Sequence, residues 1–323
     1  MSSEYAAALS SPSRPTALQI VESDRLREKL TSKVIFITGC SSGLGVQTAL
    51  ALYETGATLY LTARDTGKAR AALKDIIDSP RVQLSHLDLS SLASVRACAN
   101  EFKAASSTLH ILIENAGVMA CPEGRTIDGF ETQLGVNHLA HFLLFHLLKP
   151  VLLASSTPKF NSRVVILSSV AHQYSDVKFS NINLEGEYDS WKAYGQSKTA
   201  NLWTANEIER RHGPSGLHAF SVHPGGILTD LQRHVPEEQK ATWAKDAESS
   251  NYWKSPEQGA ATTVWAAVSA ELEGQGGKYL EDCSIAGPAD SSQGKGYATW
   301  AYNSDAEAKM YAKTMEMLDL REE

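Results

Sequence analysis

The chain has 323 residues, 42% hydrophobic and 21% charged, with a formal net charge of −7; it can bury a sizeable core as one large domain or two small ones. The acidic balance offers no basic face to nucleic acid, no lysine or arginine run marks a membrane surface, and no stretch approaches the ~18 consecutive apolar residues of an integral membrane segment. Cys40, Cys98, Cys121 and Cys283 are widely spaced and form no CxxC pair. They read as free thiols, and the Ser- and Ala-rich start from Met1 to Pro15 lacks a signal-peptide core, so the expected address is cytoplasmic.

Residues 1–32 read as an extension, disordered at first and helical from about Leu18 to Leu30. Val34-Ile35-Phe36-Ile37 is then a continuous apolar run, as a strand buried on both faces requires. A helix is expected over 43–54, a strand over 58–62, a helix over 67–77, a strand over 82–87, a helix over 92–103 and a strand over 109–113. The second half continues with a long helix over 130–148, a strand over 163–167, a helix over 190–211 and a strand over 217–222. Such alternation implies parallel βαβ units in a doubly wound sheet. With no internal repeat and no linker, residues 33–323 form one α/β Rossmann-type domain whose mostly parallel seven-stranded sheet is flanked by helices. Three stretches exceed what the pattern needs. Residues 176–184 can pair as an extra ribbon. Residues 228–254 form a candidate substrate lid with Leu231, Trp243, Tyr252 and Trp253, its charges from Glu237 through Lys254 reading as a solvated helix face. The tail, 285–323, carries Gly287, Gly294, Gly296, Tyr297, Trp300 and Tyr302.

Two motifs carry chemistry. Tyr194 and Lys198 stand four residues apart, on one face of a helix, where an ammonium can lower a phenol from its reference pKa of about 10 toward working pH. A tyrosine so tuned can act as a general acid or base. Upstream, Thr38-Gly39-Cys40-Ser41-Ser42-Gly43-Leu44-Gly45 closes the first strand. Gly39, Gly43 and Gly45 suit a tight turn that presents backbone N–H groups and a helix N-terminus to a pyrophosphate, although the spacing is GxxxGxG and not GxGxxG. Together the motifs imply hydride transfer between a nicotinamide and a carbonyl or alcohol. The second strand ends Thr62-Ala63-Arg64-Asp65. Ala63 stands where an acidic residue would hold the ribose 2′-OH of NAD, and the Arg64 guanidinium suits a 2′-phosphate, so the expected cofactor is NADP(H). Asp65 is the ambiguity, since its carboxylate could repel that phosphate. Cys40 reads as a small buried filler. His138, His141 and His146 have no cysteine or carboxylate to complete a metal set, and no metal is expected.

The chain resembles the short-chain dehydrogenases/reductases over nearly all of 33–283. The resemblance rests on Thr38 to Gly45, Asp88-Leu89, Glu114-Asn115-Ala116-Gly117, Asn137, Ser168-Ser169, Tyr194 with Lys198, and His223-Pro224-Gly225-Gly226. Thr62-Ala63-Arg64-Asp65, Ser168 to His172 and Gly277 to Cys283 resemble the retinol dehydrogenase and WW-domain-oxidoreductase branch, without its membrane anchor. The family's Asn-Asn-Ala-Gly run has Glu114 in place of its first Asn. The resemblance implies that Ser169, more than Ser168, orients the substrate oxygen and that Tyr194 moves the proton. It implies that Lys198 tunes Tyr194 and binds ribose, and that Asn137 holds a water in the proton path. It assigns the cofactor to Gly39, Ser41, Ser42, Gly43, Leu44, Gly45, Arg64, Asp88, Leu89, Asn115, Ala116, Gly117, Tyr194, Lys198, Pro224, Gly225, Gly226, Ile227 and Thr229. It also implies homodimerisation through the helices at 130–148 and 190–211. His172, Trp191, Leu231 and Trp253 are candidate substrate contacts. The expected activity is an NADP(H)-dependent interconversion of a ketone or aldehyde with an alcohol on a bulky, largely apolar small molecule, retinoid-, steroid- or polyketide-like. The same scaffold also permits a redox-neutral isomerase, epimerase or dehydratase, or a non-catalytic NADP(H)-binding regulator.

Overall fold

The computed structural model describes residues 14–249, 253–289 and 295–321. Residues 1–13, Tyr252 and Gly294, about which the sequence raised expectations, lie outside them. Eight strands form one sheet in the order β3-β2-β1-β4-β5-β6-β7-β8. They are β1 Val34–Ile37, β2 Thr58–Ala63, β3 Val82–His86, β4 Ile111–Glu114, β5 Ser162–Leu167, β6 Leu217–His223, β7 Lys278–Glu281 and β8 Ser284–Ile285. The first seven are parallel, as expected. The eighth is a two-residue antiparallel return of β7, too short to carry an alternation signal in sequence.

Side-chain alternation along the strands builds two cores. Val34, Phe36, Leu112, Val164 and Ile166 face one layer with helices α4 (Leu92–Ala105), α5 (Ala140–Ser155), α6 (Ser190–His212) and α9 (Ser304–Met317). Ile35, Ile37, Leu59, Leu61, Ile113 and Val165 face the other, with α1 (Ala17–Ser23), α2 (Leu44–Tyr53) and α8 (Ala261–Val268). Two further helices are α3 (Thr66–Ala72) and α7 (Glu237–Ser249), and single turns of helix occur at Thr132–Leu134 and Pro256–Gly259. The chain reverses its winding between β1 and β4, and the carboxyl ends of those strands open the crevice where ligands of such sheets bind.

Four local expectations are corrected. The extension's helix ends at Ser23, because Arg25 adopts a left-handed φ of 54° and Asp24-Arg25, then Arg27-Glu28-Lys29, offer no apolar stripe. The long helix over 130–148 begins as a short turn, Thr132–Leu134, passes through a π-helix, Gly135–Leu139, and then runs as α5 through Pro150 to Ser155. Proline removes one backbone bond there, but buried Leu148 and Leu152 hold the helix on the core. Residues 176–184 form no ribbon: Phe179–Asn181 is a single 3₁₀ turn. Helix α3 stops at Ala72, short of Ile77. The run Thr132–Ser155 has the length and hydropathy of a membrane span but is largely buried inside the protein.

Candidate active site

Gly39 follows β1 at φ 78°, and a Cβ there would stand 2.8 Å from Ala116 Cα. Gly45 is in tighter contact: its Cβ would meet the Gly39 carbonyl oxygen at 2.2 Å. The strand-to-helix turn therefore closes only on glycine. Helices α3, α4, α6 and α9 each begin on a side-chain cap, from Asp65, Ser91, Asp189 and Asn303. Helix α2 begins at Gly43 with no side-chain cap. A helix's first N–H groups have no intrahelical acceptor, so this uncapped turn fits an anionic pyrophosphate. Ser41, Ser42 and Leu44 lie on the same turn. Thr229 closes it from the β6 side, 3.4 Å from where a Gly43 Cβ would be.

Ala63 is buried, while Arg64 is exposed and has no ion-pair partner among the described residues. Asp65 is turned onto its own helix, where Oδ1 accepts the Lys68 N–H at 2.8 Å. Sequence alone could not fix that orientation. At the end of β3, Asp88 Oδ1 accepts both the N–H and the hydroxyl of Ser90, at 2.9 and 2.7 Å, and Leu89 is buried. The Asn115 amide is spent inside the protein, donating to the Thr38 carbonyl at 2.8 Å. It thereby shapes the edge on which Ala116 and Gly117 sit.

The two serines separate clearly. Ser168 is buried and donates its hydroxyl to the Lys198 carbonyl at 2.8 Å. Ser169 Oγ accepts the Ala171 N–H at 3.1 Å, which leaves its own proton to donate. Lys198 is buried, with Nζ 2.9 Å from the Leu167 carbonyl oxygen and 5.6 Å from the Tyr194 ring centroid. Burial pulls its ammonium down to about 7. Asn137 lies within the π-helix; its side chain clamps Val118 through both backbone groups, at 2.8 and 2.9 Å, and donates to Ser197 Oγ at 3.0 Å. A Cβ at Gly117 would stand 3.2 Å from Asn137 Oδ1 and 3.8 Å from Lys198 Nζ, so these groups share one pocket.

Pro224, Gly225, Gly226 and Ile227 follow β6 and are held by a residue the sequence reading left on a solvated face. Lys254 is 4% exposed. Its N–H donates to the Gly226 carbonyl at 2.8 Å, its Nζ to the Pro224 carbonyl at 2.9 Å, and it pairs with Asp282 at 2.6 Å. The charged helix before it gave no signal that one lysine turns inward.

Above Tyr194 lies an apolar cluster of Met119, Ala120, Ala171 and Val235, with Trp191, Leu231 and Trp243 packed against it. Trp191 meets the Tyr194 ring edge-on at 6.3 Å and Trp243 at 5.9 Å, and Trp243 meets Trp253 at 5.9 Å. Trp191, Leu231 and, through Trp243, Trp253 pack on this cluster, together with Met119, Ala120 and Val235, to which no sequence motif pointed. His172 is corrected: it is fully buried, its Nδ1 bonds the Ser169 carbonyl at 2.6 Å and its Nε2 accepts the Ala298 N–H at 3.0 Å. It braces the serine strand from behind and does not face the cleft. Cys40 is fully buried, with its thiol pushed up to about 12 by burial, consistent with a filler.

The sequence profile described as short chain dehydrogenase matches residues 33–240. The chain belongs to the short-chain dehydrogenase/reductase family. It is 49% identical over 311 residues to the short-chain dehydrogenase/reductase prx1 of Penicillium roqueforti, covering 96% of this chain and 92% of that one. It is 40% identical over 261 residues to human retinol dehydrogenase 11, covering 80% of each, which places this short-chain dehydrogenase/reductase in the retinol dehydrogenase branch. Among solved structures, Pseudomonas aeruginosa RhlG in its NADP complex matches with a TM-score of 0.62 and 25% identity, over 77% of this chain and 93% of that one. A short-chain dehydrogenase/reductase of this branch is an oxidoreductase that uses a nicotinamide cofactor.

Proposed function

We propose that the chain is an NADP(H)-dependent enzyme that interconverts a ketone or aldehyde with an alcohol on a bulky, largely apolar small molecule. The carrying observation is the juxtaposition of a serine hydroxyl with a proton to donate, a tyrosine and a buried lysine beneath a wall of apolar and aromatic side chains. Bound reduced nicotinamide would supply the hydride. Ser169 donates to the substrate oxygen and fixes its position, and Tyr194 delivers the proton as charge develops there. Lys198, when protonated, favours the tyrosinate and so eases that transfer. The aromatic wall excludes water and recognises apolar area, the usual basis of selectivity in such pockets.

NADP(H) is favoured over NAD(H) by the buried Ala63, by the exposed Arg64 and by the use of Asp65 as a helix cap; RhlG, solved with NADP, is a relative of the same fold. A monomer is favoured over the homodimer expected from the two long helices, because α9 occupies their outer face. There Tyr311 meets Phe142 edge-on at 4.9 Å, Thr314 Oγ1 bonds His138 at 2.8 Å and Glu307 accepts from Asn206 at 2.8 Å. Four free cysteines favour a reducing compartment such as the cytoplasm. The test is to incubate pure protein with NADPH and a panel of bulky ketones and aldehydes, following nicotinamide absorbance and product mass together. Alcohol formed in step with NADPH consumption supports the reading. Product without NADPH consumption, or no product across the panel, counts against it.

A further inference from the structure

Three buried residues between the glycine turn and the π-helix form a single hydrogen-bond chain. Thr38, His141 and Asn137 are each no more than 1% exposed. Thr38 Oγ1 lies 2.9 Å from the Asn115 N–H, 3.0 Å from the Ala116 N–H and 2.9 Å from His141 Nε2. His141 Nδ1 lies 3.1 Å from the Asn137 carbonyl oxygen. A hydroxyl has one proton and two acceptor sites. The two backbone N–H groups fill both acceptor sites, so the Thr38 proton points to His141 Nε2. The other end reaches the same result independently: a carbonyl only accepts, so His141 Nδ1 carries the ring proton. Both ends require one neutral tautomer, and burial, which pulls this histidine down to about 4, keeps it neutral.

We propose that His141 is a positioning residue for the reaction proposed above, acting through Thr38 and Asn137. It ties the Ala116–Gly117 edge expected to meet the cofactor to the Asn137 backbone beside Lys198. The wide turn of a π-helix is the irregularity that gives the Asn137 carbonyl its position, and a buried imidazole fixes which way that carbonyl faces. In a water-excluded setting such a chain is either fully satisfied or costly. His138, three residues earlier, does not share this role: it bonds Asn201 and Thr314, away from the glycine turn.

The first test needs no substitution in the protein observed. Long-range ¹H–¹⁵N spectra of the full chain, assigned with a His141→Gln control, are expected to show the His141 proton on Nδ1 and a bare Nε2. A proton on Nε2 breaks the chain at both ends and overturns the proposal. The second test compares variants. His141→Leu is expected to lower kcat about 10- to 100-fold, the usual range for groups that orient a catalytic shell, with a smaller change in substrate KM. His141→Gln, which offers one donor and one acceptor, restores most of that loss. A folded Leu variant with wild-type kcat, or a Gln variant no better than Leu, overturns the proposal. Should no carbonyl turn over in any protein, the proposed reaction fails while the spectrum still decides the positioning role. NADPH affinity then replaces kcat as the second readout, with a severalfold loss in the Leu variant supporting the role and an unchanged value opposing it.

Discussion

Glu114 invites the most quantitative test, because the family pattern places a neutral asparagine there. It ends β4 and is 3% exposed, its Oε1 has no hydrogen-bond partner, and burial pushes its carboxyl up from 4.5 to about 8. The folded-state pKa therefore lies above the unfolded one, and the folded state holds the proton more tightly. The stability contributed by the neutral acid is fully present below about pH 4.5 and is lost as pH rises toward 8. At pH 7 the loss is on the order of 3 kcal/mol. Glu114→Gln keeps the shape and removes the titration. At about 2–4 °C per kcal/mol for a domain of this size, the variant should melt on the order of 5 °C or more above wild type at pH 8. At pH 4.5 the two should nearly coincide. Differential scanning fluorimetry of both proteins from pH 4.5 to 8.5 measures this directly, since every other titrating group is shared. Melting curves that stay a constant distance apart across that range would refute the reasoning, as would a variant less stable at pH 8.

Three further predictions follow from the same geometry. Lys198→Met should abolish most turnover and weaken NADPH binding, yet raise the melting temperature near pH 7. The fold depresses this lysine from 10.5 to about 7, so the unfolded chain binds the proton better, and burial of the ammonium costs stability that is recovered as pH rises toward 10.5; a variant with a lower melting temperature would contradict this. In binding titrations NADPH should be held at least about tenfold more tightly than NADH, the worth of one charge-assisted contact, and Ala63→Asp with Arg64→Ile should reverse the order. Equal dissociation constants in the unmodified protein would remove Arg64 from that role. Light scattering at micromolar concentration should give a monomer mass, and removal of residues 303–323 should expose the apolar faces of α5 and α6 and cause self-association; a dimer of the intact chain would mean that α9 leaves another face free to pair.

The first six strands were legible as short runs between helical patterns, most of them apolar, whereas β7 and the two-residue β8 were not placed; the glycine turn was legible because its spacing is set by backbone contact. Tyr194 and Lys198 were legible because a helix brings residues four apart onto one side. What stayed hidden depends on which way a side chain turns. Asp65 could have faced a phosphate and instead caps a helix, Lys254 could have faced water and instead anchors the loop after β6, and His172 could have faced substrate and instead braces Ser169. The apolar wall was only partly legible, since Met119, Ala120 and Val235 meet Tyr194 from two separate loops.

The central claim is that Tyr194 moves the proton while a hydride passes from the cofactor to a carbonyl carbon. Its most direct test is turnover with NADPH deuterated at the transferring position, run on wild type and on Tyr194→Phe with whichever bulky carbonyl the panel identifies. The account predicts an alcohol heavier by one mass unit from wild type. From the phenylalanine variant it predicts a rate lower by about a hundredfold or more, with NADPH still bound. Product lacking the deuterium, or a variant that turns over within a fewfold of wild type, would contradict it.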